Sequence, residues 1–167
     1  KNCRLYIHTS VSSQINLLKL LKKFKVKKKC YIFCDQDKYN KHLYTRKDIF
    51  NILKGSDVLL SASKSEGFGI PILEAQSCGC PVITTKFSAM PELTINGIST
   101  EYKETEAYPD DKKSYWAIPD INNILKALET IYNWTPSYRN KMKKKGIEFS
   151  KKFTYEIIAK NIINICK

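Results

Sequence analysis

The chain has 167 residues, 43 % of them hydrophobic and 27 % charged, the balance of a globular protein with a real core rather than a disordered one. Its formal net charge is +13, yet the arginines are only Arg4, Arg46 and Arg139. Direct base readout leans on arginine forks, so nucleic acid is not an expected partner, and no apolar run approaches the roughly 20 residues that span a bilayer.

An AT-rich coding sequence would by itself enrich Lys, Asn and Ile; the charge also suits a phosphorylated ligand or an anionic membrane surface. No secretory leader pattern opens the chain, and a cytoplasmic location follows as the expectation. The chain starts Lys1-Asn2-Cys3, without Met, which points to a piece of something longer. The six cysteines, Cys3, Cys30, Cys34, Cys78, Cys80 and Cys166, lack the paired spacing of a zinc site. Buried free thiols in a reducing compartment, and no metal, are expected.

Leu5 to Thr9 reads as a short strand. Ser12 or Ser13 then caps a helix with Leu17, Leu20, Leu21 and Phe24 on its apolar face. "CYIFC", Cys30 to Cys34, has the compact apolar run of a buried strand. Residues 35–45 are polar and read as a loop. Thr45 and Asp48 form a capping box for a helix carrying Ile49, Ile52 and Leu53 and closed by Gly55. Val58 to Ala62 is the next buried strand, and Ser65 to Gly69 turns the chain. Pro71 suits the first turn of a helix that ends near Cys78, with Gly79 left-handed beyond it. "PVITT", from Pro81, is a further strand. Residues 86–118 read as irregular, with a helical turn near Pro91 to Leu93. A helix with Ile121, Ile124, Leu125 and Leu128 on its apolar positions follows. Two more helices start near Pro136 and Thr154. The block Lys141 to Lys145 reads as a solvated helix face, or as a contact with a membrane surface.

Strands alternate with helices throughout. The expected fold is α/β and Rossmann-like, a mostly parallel sheet with helices on both faces, in a single domain over 1–167.

The turn after Val58 to Ala62 lies at the carboxyl end of a strand, where ligands of open parallel sheets sit. Gly67 and Gly69 leave backbone N–H groups uncovered, and the helix that follows aims its N-terminus at the same place, the makings of an anion site. Lys64 could add charge. Glu66 and Glu74 flank the turn; a carboxylate would repel phosphate but accepts hydrogen bonds from sugar hydroxyls. The pair suggests a ligand carrying both phosphate and sugar. The bland alternative leaves Glu66 favouring a helix N-terminus and Glu74 on the surface; the rival reading is a catalytic carboxylate pair for glycoside hydrolysis. His8 and His42 read as structural, and no nucleophile has an adjacent base.

The segment "SDVLLSASKSEGFGIPILEAQSCGCPVITTKFSAMPELTINGIST" resembles the signature region of the retaining glycosyltransferases of family 4, whose GT-B fold faces two Rossmann-like domains across a cleft. Their E-x7-E motif matches Glu66 and Glu74. "GCPVI" at Gly79 to Ile83, "MPEL" at Met90 to Leu93 and the final helix "FTYEIIAKNIINI" also match, so the resemblance covers nearly the whole chain. It implies the C-terminal, nucleotide-sugar-binding half of such an enzyme. Glu74 would bind the ribose hydroxyls and Glu66 the donor sugar near the reacting centre. The amides around Gly67, Phe68, Gly69 and Ile70 would hold the donor sugar and diphosphate. No metal or other cofactor is implied. The donor would be a UDP- or GDP-sugar and the acceptor a glycan, lipid or protein.

Two features depart from the family. Its donor domain usually begins with an earlier strand–helix unit carrying an Arg and a Lys that neutralise the diphosphate; nothing before Leu5 supplies them, and the N-terminal acceptor domain is also absent. A glycine usually follows shortly after "NG", where Ile98, Ser99 and Thr100 stand here. The isolated chain is therefore expected to be inactive, and a truncated relative serving as a binding module is the alternative.

Overall fold

The computed structural model describes residues 3–11, 15–108 and 113–166. The chain divides into two compact units, Lys1–Ile49 and Phe50–Lys167.

In the first unit β1 (Leu5–Ile7) pairs in parallel with β2 (Tyr31–Phe33), Leu5 opposite Tyr31. Helix α1 (Leu17–Lys23) lies between them in sequence. Its cap is Asn16, whose side chain accepts the Lys19 N–H at 3.0 Å. The expected caps, Ser12 and Ser13, lie outside the described residues. Residues 35–45 are not simply a loop: α2 (Gln36–Asn40) forms there. The Asp35 carboxylate accepts the Lys38 N–H at 3.0 Å, and that cap outweighs the polar composition on which the loop reading rested. The Thr45–Asp48 box forms as the spacing predicts. The Asp48 N–H donates to Thr45 Oγ1, and Asp48 Oδ2 accepts the Thr45 N–H at 2.8 Å. It opens α3 (Arg46–Lys54), which crosses from one unit into the other.

The second unit is built on β3 (Leu59–Ser61), β4 (Val82–Thr85) and β5 (Ile98–Thr100), all parallel, in the order β3-β4-β5. Every residue of the central β4 is buried, as a parallel strand covered on both faces requires. Side chains alternate across it. Ile83 packs with Ala127 and Ile131 of α6 (Ile121–Tyr132) on one face. On the other, Thr84 Oγ1 lies 2.8 Å from Thr94 Oγ1, just past α5 (Met90–Leu93). Helix α4 (Ile70–Ser77) packs on α7 (Pro136–Ser150). Buried Gln76 ties the layers. Its amide donates to Leu93 O at 2.6 Å, and its oxygen accepts the N–H groups of Ile95 and Asn96. Gly97 lies so close to β4 that a Cβ there would overlap the Val82 backbone. The α/β, Rossmann-like architecture with parallel strands and helices on both faces is the expected one.

Two further expectations need correction. Residues 86–118 contain α5 as expected, but also β5 and an antiparallel hairpin, β6 (Tyr102–Ala107) with β7 (Tyr115–Pro119). "YKETEA" has no apolar face, so its cross-strand pairing leaves no hydrophobic period to read. In α6, Ile121 and Leu125 are exposed, and Ala127 and Ile131 form the buried stripe instead. Helix α8 (Tyr155–Ile165) has no buried residue. The thiols of Cys34, Cys78 and Cys80 are free and buried, and burial pushes Cys80 up to about 12, the behaviour of an inert core thiol.

Candidate functional site

The segment between β3 and α4 leaves the sheet at its carboxyl edge. Its shape depends on Gly69, the residue before α4, which is buried with φ 96° and ψ 50°. That left-handed conformation costs a side-chain-bearing residue about 1–2 kcal/mol, and a Cβ would lie 2.9 Å from Ile72 Cδ1. Pro71 sits in the first turn of α4, where an N–H has no intrahelical partner. Gly67, by contrast, faces open space: a Cβ there would meet nothing within 4 Å.

Gly67, Phe68 and Ile70 of the turn are exposed, and Gly69 between them is buried. The N–H groups of Gly67, Phe68, Gly69 and Ile70 have no hydrogen-bond partner among the described residues. Phe68 is half exposed, its ring edge-on to Phe153 at 5.8 Å. Free amides ahead of a helix N-terminus attract negative charge.

Glu66 is half-buried and fixed twice. Its Oε1 accepts from Ser63 Oγ at 2.8 Å, and its N–H donates to Ser88 Oγ at 3.0 Å. Ser88 holds a left-handed φ of 50° in the segment between β4 and α5. Glu74 lies one turn into α4, on the stripe of Ile70 and Ser77 and away from the buried Ile72, Ala75 and Gln76. Its carboxylate has no partner among the described residues. Glu66, the four amides and Glu74 thus belong to one continuous segment.

Lys64 is placed otherwise than expected. Its ammonium lies 3.4 Å from Glu106 Oε2 and 4.0 Å from the centre of the Trp116 ring, both on the β6–β7 hairpin. Its charge is engaged there rather than free for an anion. Sequence reasoning missed Ser63, Ser88, Glu106 and Trp116. Ser63 stands three residues from Glu66 and was within local reach; the other three are remote in sequence and carried no signal. Among the described residues no cluster of His, Cys, Asp and Glu could hold a metal ion, and no helix is long and apolar enough to cross a membrane. His8, far from this turn in sequence, packs against the rings of Tyr39 and Tyr44, and its Nδ1 lies within hydrogen-bond distance, 3.2 Å, of the Tyr6 hydroxyl. His42 occupies a left-handed turn position after α2, φ 55°.

The fold is shared with the crystal structure of the GtfA/B complex, at a TM-score of 0.68 over 97 % of this chain and 29 % of that one, with 14 % identity. An uncharacterized glycosyltransferase of Methanocaldococcus jannaschii is 31 % identical over 109 residues, which is 65 % of this chain and 27 % of that protein. A D-inositol 3-phosphate glycosyltransferase of Saccharomonospora viridis is 28 % identical over 81 residues, 47 % of this chain and 19 % of that protein. The chain thus spans less than a third of the length of each of these proteins. Residues 16–149 match the family described as glycosyl transferases group 1, and with the Rossmann-like half of a GT-B fold around its glycine turn the chain belongs to that family.

Proposed function

We propose that the chain is the donor-binding part of an enzyme that moves a sugar from a nucleotide-sugar to an acceptor hydroxyl with retention at the anomeric carbon. The observation that carries this reading is the run of four unpartnered amides, Gly67 to Ile70, between a fixed Glu66 and an unpartnered Glu74. The amides would hold the diphosphate and need no metal. Glu74, a turn farther along α4, would take two hydroxyls of the ribose; Glu66 would take a hydroxyl of the donor sugar. In the transfer, the bond from the anomeric carbon to the diphosphate oxygen breaks with its electron pair on the diphosphate. The acceptor oxygen bonds to the same face of the carbon and passes its proton to the departing diphosphate oxygen. Donors aimed at the departing diphosphate favour that charge separation, and removing one such donor from an enzyme typically slows it about 10²–10³-fold.

The test is calorimetric titration of the protein with UDP and with GDP. One of them binds, and Glu74→Ala weakens it at least about tenfold, near 1.4 kcal/mol. Glu66→Gln leaves the nucleotide affinity and removes the added affinity of the nucleotide-sugar. Binding that ignores Glu74→Ala would sink the assignment. A second reading, a binding module without turnover, is favoured by one observation: the Lys64 charge is engaged by Glu106 rather than by the turn. Nucleotide-sugar binding with no transfer or hydrolysis in the intact protein would select it.

A further inference from the structure

The β6–β7 hairpin touches the candidate site at Lys64, through both backbone and side chains, while Tyr102 of β6 meets Phe87, next to Ser88, at 5.6 Å. Ala117, fully buried in β7, donates its N–H to Lys64 O at 2.9 Å. Glu106 and Trp116 stand opposite each other across the hairpin. Trp116 Nε1 donates to Glu106 Oε2 at 3.1 Å, the same oxygen that lies 3.4 Å from the Lys64 ammonium. That ammonium in turn sits over the Trp116 ring, and Tyr108 meets the ring edge-on at 5.1 Å. Each member of the triad touches the other two. The Lys64 and Glu106 side chains are about half exposed, so their ion pair alone is weak. The closed ring and the backbone bond make it a fixed attachment.

The attachment falls two residues before Glu66. Glu66 is held separately by Ser88, so the turn is attached both to the hairpin and to the segment after β4. We propose that the β6–β7 hairpin positions the Glu66 turn through the Lys64–Glu106–Trp116 triad, and that occupancy of the turn is sensed at Trp116. Glu106 and Trp116 are positioning residues: they hold the backbone that carries Glu66 and its amides. The positioning itself is a property of the unliganded protein; its link to a ligand rests on the function proposed above.

The experiment has two arms. In the first, hydrogen exchange is followed by NMR on the full chain without ligand. The Glu66 N–H bonds to Ser88, not to the hairpin, so its protection reports the turn rather than the hairpin's own stability. Glu106→Gln keeps an acceptor for Trp116 Nε1 and removes the charge facing Lys64; Trp116→Phe removes the donor. Both variants should speed Glu66 exchange by roughly tenfold while the thermal midpoint holds, and Lys64→Arg, which keeps the charge facing Glu106 and Trp116, should leave most of the protection in place. Unchanged Glu66 exchange in both variants overturns the proposal. In the second arm, Trp134→Phe leaves Trp116 as the sole indole, and UDP or GDP is titrated in. Emission should shift with the same midpoint as calorimetric binding, and Glu106→Gln should weaken that binding several-fold. Binding with silent emission and unaltered affinity in Glu106→Gln overturns the sensing. If neither nucleotide binds, the proposed function falls, and the exchange arm alone decides the positioning.

Discussion

Two isoleucines in parallel strands, Ile83 in β4 and Ile32 in β2, have opposite fates. Ile83 is fully buried, with α6 on its face; Ile32 is 48 % exposed. The contrast extends to their units. In Lys1–Ile49 the described hydrophobic core residue is Cys34 alone, and α1 buries nothing. Phe50–Lys167 holds the remaining buried hydrophobic residues, including Ile72, Val82, Met90 and Ile131. Similar apolar strand sequences therefore make very different contributions. A parallel ladder gains its stability from layers on both faces, and a two-stranded ladder gives its helices little to cover.

The comparison breaks most directly on those two residues. Ile83→Ala should cost about 2–5 kcal/mol in urea unfolding, by lost burial and a cavity against Ala127 and Ile131. Ile32→Ala should cost well under half as much. Equal losses would mean that the first unit is as tightly packed as the second. Next comes the polar joint of the second unit. Gln76→Leu keeps the volume but strands the Asn96 N–H and takes one partner each from Leu93 O and the Ile95 N–H, which keep their bond to each other, for a loss of about 1–3 kcal/mol. Gly69→Ala should cost about 1–2 kcal/mol through its left-handed backbone, with the larger consequence in nucleotide affinity.

The smallest effect is on the first unit and is set by pH. Burial lowers the pKa of His8, so the folded ring prefers to be neutral. The unfolded chain takes up the proton first, and stability present above the ordinary value of 6.5 declines as pH falls below it. The Thr45 N–H and hydroxyl hold Asp48 down to about 2. Its contribution is present above the ordinary carboxylate value and is lost as pH falls towards about 2. Amide exchange followed from pH 7 downwards should show Lys1–Ile49 losing protection before Phe50–Lys167. The reverse order would contradict the assignment of His8 to that unit's packing.

Much of the fold was legible because its signals are local. The Thr45–Asp48 box, Pro71 in the first turn of α4 and Gly79 at φ 74° each act within a few residues. So did the spacing of Glu66 and Glu74 around a turn that only Gly69 can make without strain. Local chemistry also misled where it lacked context. Ile121 has the helical spacing of a core residue yet is 80 % exposed, because the register of α6 on the sheet is chosen by Ala127 and Ile131. The hairpin went unread because neither face of "YKETEA" is apolar.

The sequence by itself determined most strands and helices outside residues 35–45 and 86–118, the left-handed Gly79, the Thr45–Asp48 cap and the presence of two carboxylates around a glycine turn. These follow from backbone sterics and bonds between near neighbours. Only the tertiary structure decided that Lys64 turns to Glu106 and Trp116, that Ser88 pins Glu66, and that Ile83 is core while Ile32 is surface. Those outcomes depend on which distant segments meet, and a charge or an apolar side chain goes to whichever partner the packed layers bring within reach.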